Sequence, residues 1–285
     1  MTPIEILSEC LDEDERNRRV YDGHILIFRN VGALHRLLGR VLSLARDRFG
    51  GDPARAHAEL TAAEQDAVAQ ALRDDIIGDE IANDRLGDAL AEVGVRESDT
   101  YRDSLNLRFQ PPAAGQESAL VAPLEAHRDT WGSNVMAQTN WWTPVLPVSP
   151  DRTLAVFPSA FCRIIANDSA EWDIEAFLAA RKAGTPYPML PTATDPPSWA
   201  QAVPLVIAPG DLLCFSGAHL HASVPNSTSK ARLSLEWRTV NGPDARAGRG
   251  APNVDGDAPW IAYNWFKRLD DGARLGARAR TGPAT

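Results

Sequence analysis

The stretch that decides the fold is PGDLLCFSGAHLHASVPN, residues 209–226. It begins with the turn signal Pro-Gly-Asp, continues with the apolar run LLCF, and then carries His219 and His221. A turn followed by a short apolar run is typical of a buried β-strand. Similar strand-like runs fill the chain from about 101 to 240, at 104–109, 137–145, 153–157, 163–166, 202–207, 212–215 and 231–239. Many short strands separated by turns predict a sandwich or barrel such as a double-sheet jelly roll.

The 285 residues fit one domain over 1–272, mainly β with flanking α-helices. We expect a helical support over 1–100, a jelly-roll core over about 101–240, a C-terminal helix over about 257–269 and a disordered tail over 273–285. Within the support and core, the predicted elements are a buried strand at 23–30 and helices at 34–49, 61–73, within 74–93 and at 172–183. Thr61 and Glu64 form a capping-box pattern at the start of one of these helices. The Pro-rich segment 184–197 and the segment 241–257 are expected to be lids.

Composition narrows the class of protein. The net charge of −9 argues against nucleic acid as a partner, because excess carboxylates repel phosphates. The first 19 residues lack the apolar run of a signal peptide, and no stretch approaches the ~20 apolar residues of a membrane span. The three cysteines are widely spaced and suit a reducing cytoplasm. The expected partner is a small-molecule substrate, with no membrane association, and the chain is expected to be a monomer or homodimer.

The motif His127-Arg128-Asp129 follows the first strand of the core. In an extended segment, residues two apart point to the same side, so His127 and Asp129 would offer an imidazole and a carboxylate together. Taken alone, the motif fits a surface turn with a salt bridge better, because three-residue matches are common.

A second pair, Arg232 and Ser234, shares a face of a later strand by the same rule. A guanidinium beside a hydroxyl suits a carboxylate ligand, whereas the plainer interpretation is an edge-strand arginine in a surface ion pair. Two histidines and a carboxylate match the facial triad of non-haem iron(II), and zinc also accepts them. The order of these motifs, with the Arg-x-Ser pair near the ligands, favours iron with a dicarboxylate co-substrate.

Three segments carry a family resemblance: AHRDTW (126–131), residues 209–226 and ARLSLEWR (231–238). From about 105 to 240 the chain resembles the iron(II)/2-oxoglutarate oxygenases, and within them the phytanoyl-CoA dioxygenase-like group. The resemblance implies a double-stranded β-helix, a cupin-like distorted jelly roll with helices outside. Its pattern around Ser223 and Asn226 fits His221 as the distal ligand, with His219 in reserve.

The resemblance also implies the chemistry. Iron(II) would be held by His127, Asp129 and His221, and Arg232 with Ser234 would bind the 5-carboxylate of 2-oxoglutarate. Dioxygen would be the oxidant, ascorbate the reductant in vitro, and succinate and CO2 the co-products. Because Asp129 supplies the carboxylate that related halogenases lack, hydroxylation, desaturation or cyclisation is favoured over halogenation.

Further candidates lie on the neighbouring strands. Gln138, Asn140 and Trp142 alternate along one strand and are candidates for contacting the co-substrate or substrate. Arg108, on another strand, is a further candidate. Arg238 shares a face with Arg232 and is a candidate for the same reason. The alternatives are that the tryptophans fill the core and that the arginines lie at the surface. Two other functions stay open: a cupin-like metal-dependent isomerase or lyase without 2-oxoglutarate, and a non-catalytic binding module.

Overall fold

The computed structural model describes residues 3–112 and 122–281. Within these ranges the strands are β1 (Ile4–Leu7), β2 (Ile25–Phe28), β3 (Thr100–Arg102), β4 (Asn106–Gln110), β5 (Gln138–Pro144), β6 (Leu154–Val156), β7 (Val203–Leu205), β8 (Leu212–Ser216), β9 (His221–Ser223), β10 (Arg232–Asn241), β11 (Trp260–Ile261), β12 (Lys267–Arg268) and β13 (Ala279–Arg280). The α-helices are α1 (Glu13–Tyr21), α2 (Gly32–Phe49), α3 (Ala62–Gly78), α4 (Glu80–Glu92), α5 (Thr130–Ser133), α6 (Ile174–Ala183) and α7 (Gly242–Arg246). None of the described helices is long and apolar enough to cross a membrane.

Strand β10 organises the larger sheet. It pairs antiparallel with β5 on one side and with β4 and β3 on the other, in the order β1-β2-β8-β5-β10-β3-β12. A smaller sheet has the order β7-β6-β9. An apolar layer joins side chains of both sheets, namely Ile25, Ile27, Trp142, Leu154, Val156, Leu205, Ile207, Leu213 and Phe215. Two sheets therefore pack face to face, and burial of this layer stabilises them.

The two faces of β10 have different roles. Leu233, Leu235 and Trp237 pack into the main apolar core, which they share with α2, α3 and α4. Arg232, Ser234, Glu236 and Arg238 alternate with them and so point to the opposite face. The helices thus cover one side of the larger sheet, and the polar side of β10 faces the space where the candidate site lies.

Most predicted elements of the helical support are present. The capping box at Thr61 and Glu64 is formed as expected, although α3 continues to Gly78 rather than ending near 73. The cap of α6 is Asp173, whose side chain accepts hydrogen bonds from the backbone N–H groups of Glu175 and Ala176, and Gly184 ends the helix in a left-handed conformation.

The C-terminal helix predicted over 257–269 is wrong. The segment forms β11, a 3-10 turn at Tyr263–Trp265 and β12, and β12 pairs with β3 while β11 pairs with β13. Phe266 is buried beside Tyr101 and Val240, so packing and strand pairing override the helical pattern. The expected disorder of the tail is also not found where the tail is described, since β13 lies within it; residues 282–285 lie outside the described ranges.

The strand predicted at 163–166 is also absent. The backbone N–H of Ile165 donates to the carboxylate of Asp255, and the carbonyl of Arg163 accepts from Arg128. Side chains thus form the hydrogen bonds with these backbone groups that a neighbouring strand would otherwise form.

Candidate metal and co-substrate site

His127 and His221 are brought together by their backbones. They form an antiparallel bridge, with N–H to carbonyl distances of 2.9 Å and 3.0 Å, and their ring centroids are 4.2 Å apart. His221 opens β9 and is also paired with Val156 of β6. Two ligands that are 94 positions apart in the sequence therefore occupy one point between the sheets.

Asp129 joins them by a different route from the one predicted. Its backbone is helical (φ −63°, ψ −28°) and it precedes α5, so the alternation of an extended strand does not apply. The turn nevertheless places its Oδ1 3.5 Å from Nε2 of His127. One atom from each of the three side chains lies within 4.8 Å of the others, so the predicted triad is assembled.

The imidazoles are oriented as metal ligands. Nδ1 of His127 lies 2.7 Å from the carbonyl oxygen of Glu125, and Nδ1 of His221 lies 2.9 Å from that of His219. With the Nδ1 protons donated there, both Nε2 lone pairs face the triad, and Nε2 of His127 is buried without a hydrogen-bond partner among the described residues. Burial lowers the pKa of His221 to about 3, so its ring is neutral at pH 7. These residues fit a divalent cation.

Three polar side chains hold the other oxygen of Asp129. Oδ2 accepts from Asn140 at 2.7 Å, from Arg238 at 2.9 Å and from Gln138 at 3.4 Å. Burial of the Asp129 carboxyl opposes its ionisation, but the positive charge of Arg238 outweighs burial and holds the pKa well below its usual value. Gln138, Asn140 and Arg238, predicted as co-substrate or substrate contacts, are thus placed as supports of a metal ligand.

His219, the reserve ligand, lies outside the triad. Its ring is buried between Phe161 and Phe215, and its Nε2 lies 3.0 Å from the carbonyl oxygen of Gly23. Burial lowers the pKa of His219 to about 4. Its side chain links the segment after β8 to the segment before β2, which is a structural role.

Arg128 is buried rather than part of a surface turn. Its guanidinium is 3.1 Å from the Asp255 carboxylate and donates to the carbonyls of Ala160, Phe161, Arg163 and Ala218. Asp255 also accepts from the Trp131 indole at 2.7 Å. This network fixes the backbone on both sides of the His127-to-Asp129 turn. The sequence carried no signal for Asp255, which is 127 positions from Arg128.

Arg232 lines the same cavity as the triad, and Ser234 lies two residues further along β10. Arg232 is 3% exposed and donates to the Thr153 carbonyl at 2.8 Å and to the Ser223 hydroxyl at 3.0 Å. Its Nε and the hydroxyl of Ser234 have no hydrogen-bond partner in the described ranges. Burial lowers the pKa of Arg232 to about 9, which leaves it charged at pH 7. An anion bound in this cavity would therefore stabilise the buried guanidinium. The sequence could have indicated Ser223, because it lies two residues after His221 and therefore points to the same side of an extended strand.

Arg108 lies opposite Ser234 on the neighbouring strand β4. It lines a second cavity, which also touches Asp129, rather than the cavity of Arg232. Trp142 belongs to the apolar layer between the sheets and also lines the triad cavity. Arg108 therefore shares its cavity with Gln138 and Arg238, and its charge also acts on Arg232.

The family resemblance is confirmed by a family model, described as phytanoyl-CoA dioxygenase, that matches residues 167–234. The match includes His221, Arg232 and Ser234, whereas His127 and Asp129 precede it. No curated protein sequence matches the chain.

The chain is also similar to several solved structures. EvdO2 from Micromonospora carbonacea var. aurantiaca, complexed with 2-oxoglutarate, has 12% identity, a TM-score of 0.49 and coverage of 82% of this chain and 93% of its own. SnoK, an alpha-ketoglutarate-dependent carbocyclase of nogalamycin biosynthesis, has 14% identity, a TM-score of 0.42 and coverage of 85% and 93%. The monooxygenase ThoJ has 17% identity, a TM-score of 0.42 and coverage of 80% and 76%.

Proposed function

We propose that this chain is a non-haem iron(II) oxygenase that uses 2-oxoglutarate and dioxygen to hydroxylate, desaturate or cyclise a small molecule. The observation that carries the proposal is a single cavity lined by His127, Asp129, His221 and Arg232. A triad of two imidazoles and one carboxylate suits iron(II), and a buried guanidinium with free donors suits the far carboxylate of a dicarboxylate. A double-stranded β-helix, formed by the two packed sheets, is part of the same proposal.

The residues have distinct roles in this proposal. His127, Asp129 and His221 would hold the iron, and Arg238 with Asn140 would keep Asp129 ionised and fixed in orientation. Arg232 and Ser234 would bind and orient 2-oxoglutarate. When bound, iron with 2-oxoglutarate supplies the oxidising chemistry, and the protein provides positioning and exclusion of water. The carboxylate of Asp129 fills the position that halide would need, which favours hydroxylation over halogenation.

The test is an anaerobic titration of the iron(II)-loaded protein with 2-oxoglutarate. We expect a weak visible charge-transfer band, and its loss in Asp129→Ala and His221→Ala with an unchanged far-UV circular dichroism spectrum. Arg48→Met, which removes an exposed arginine paired with Asp75, is the control and should keep the band. Iron binding without any response to 2-oxoglutarate would instead favour the cupin-like isomerase or lyase. Failure to bind either would refute the proposal.

A further inference from the structure

A second cavity lies beside the metal site and is lined by arginines and aromatic rings. It touches Asp129 and includes Arg73 of α3, Arg108 of β4, and Glu236 and Arg238 of β10. Because it shares Asp129, Glu236 and Arg238 with the cavity of the triad, a molecule held there would lie next to the candidate metal site.

The carboxylates of this cavity are already paired. Arg238 is 2.9 Å from Asp129, 3.4 Å from Asp103 and 3.6 Å from Glu236. Glu236 also acts on Arg108 and Arg73 through its charge, but it forms no ion pair with either arginine in the described ranges.

Arg108 and Arg73 are left without an ion pair among the described residues. Arg108 is 2% exposed, donates to the carbonyl of Ala122 at 2.9 Å and has a buried Nε without a partner in the described ranges. Arg73 is partly buried and reaches only the carbonyl of Leu107, at 3.5 Å. Burial lowers the pKa of Arg108 to about 10, so this side chain stays charged at pH 7. A buried guanidinium without an anion is unfavourable, and an anionic ligand would remove that penalty.

Part of the cavity wall is apolar, although Arg181 and Asn106 also line the cavity. Trp172 and Phe177, from the region of α6, stand with Met189 and Leu190 of the Pro-rich segment and with Trp265. Such a surface favours a ring or hydrocarbon body, because aromatic side chains offer large apolar contact areas. The cavity therefore combines an apolar surface with the unpaired guanidinium groups of Arg108 and Arg73.

We propose that this cavity is the substrate site, and that it takes a small molecule whose anionic group, a carboxylate or a phosphate, pairs with Arg108 and Arg73 while its apolar body contacts Trp172 and Phe177. The identification of the ligand as the substrate rests on the proposed oxygenase function. The anion site itself rests on the two arginines and does not depend on bound iron.

The experiment uses matched ligands on protein saturated with iron(II) and 2-oxoglutarate under anaerobic conditions. Phenylacetate and phenyl phosphate carry the two anionic groups, and phenylacetamide is the neutral counterpart of phenylacetate. Saturating 2-oxoglutarate keeps the probes away from Arg232. Binding is measured by calorimetry and by the change in the visible band, for the wild type, Arg108→Met, Arg73→Met and the control Arg48→Met.

We expect at least one anionic probe to bind about tenfold or more tightly than phenylacetamide, as is typical of a charge-assisted hydrogen bond. The preference should fall to near unity in Arg108→Met, should fall in Arg73→Met, and should persist in Arg48→Met. The anion that shows the larger preference identifies the group. Equal binding of all probes, no binding of any, or a preference that survives both pocket substitutions would overturn the proposal. Arg73→Met keeps the test decisive if Arg108→Met does not fold.

The outcome also separates the two proposals. If the iron–2-oxoglutarate band never forms, the oxygenase proposal fails, and an arginine-dependent preference measured on the metal-free protein would still support the anion site. If Arg108→Met weakens 2-oxoglutarate binding and leaves the probes unaffected, Arg108 serves the co-substrate and the substrate-site proposal is overturned.

Discussion

Replacement of Arg232 by Met tests how the co-substrate is held. A guanidinium has five N–H donors, and Arg232 uses two of them on the Thr153 carbonyl and the Ser223 hydroxyl, so three remain for a carboxylate. Two charge-assisted hydrogen bonds lost from a buried site amount to about 3–4 kcal/mol. We therefore expect the dissociation constant of 2-oxoglutarate to rise roughly 10²–10³-fold.

The assay is anaerobic titration of the iron(II) protein with 2-oxoglutarate, followed by the visible band and by calorimetry. Iron(II) affinity, measured without 2-oxoglutarate, should stay within about threefold, because Arg232 hydrogen-bonds to none of the three ligands. Arg232→Lys keeps a charge but loses the fork of donors, so it should be intermediate. Arg48→Met is the control and should leave 2-oxoglutarate affinity nearly unchanged. A change of less than about fivefold in Arg232→Met, or an equal change in Arg48→Met, would refute the assignment.

Three further predictions follow from the contacts of the site. Arg238→Met should weaken iron(II) binding about 10- to 100-fold in a competitive chelator titration, since it removes a support of Asp129 Oδ2; an unchanged affinity would contradict that role. Asp255→Ala leaves the guanidinium of Arg128 buried without its carboxylate, so denaturant unfolding should show a loss of about 3–5 kcal/mol, and a loss below 1 kcal/mol would speak against the network. Burial lowers the pKa of His219 from 6.5 to about 4, so stability is full above pH 6.5 and declines as the pH falls towards 4, because the unfolded chain binds the proton first. His219→Gln should reduce that decline by about 3 kcal/mol in unfolding titrations of metal-free protein, and an identical pH dependence in both proteins would be the contrary result.

Local patterns in the sequence determined several secondary-structure elements and the choice of candidate metal ligands. The Pro-Gly-Asp turn with its apolar run gave strand β8, and the capping box at Thr61 gave the start of α3, because both signals act over a few residues. The residue types at His127, Asp129 and His221 indicated iron chemistry before any geometry was known. The pairing of Arg232 with Ser234 on one face followed from the two-residue period of a strand.

The tertiary structure decided which side chains meet. Asp129 reaches the triad from a helical turn, Arg128 pairs with a distant aspartate, and Arg238 supports a ligand that is 109 positions away. It also replaced the expected helix over 257–269 by strands, since Phe266 is buried more favourably in the core than on a helix exposed to solvent. Sequence periods report which face a residue occupies on its own element, whereas contacts between elements depend on how the whole chain packs. That is the physical reason why the candidate metal ligands could be predicted from the sequence, whereas the support of Asp129 and the arginine-lined cavity could not.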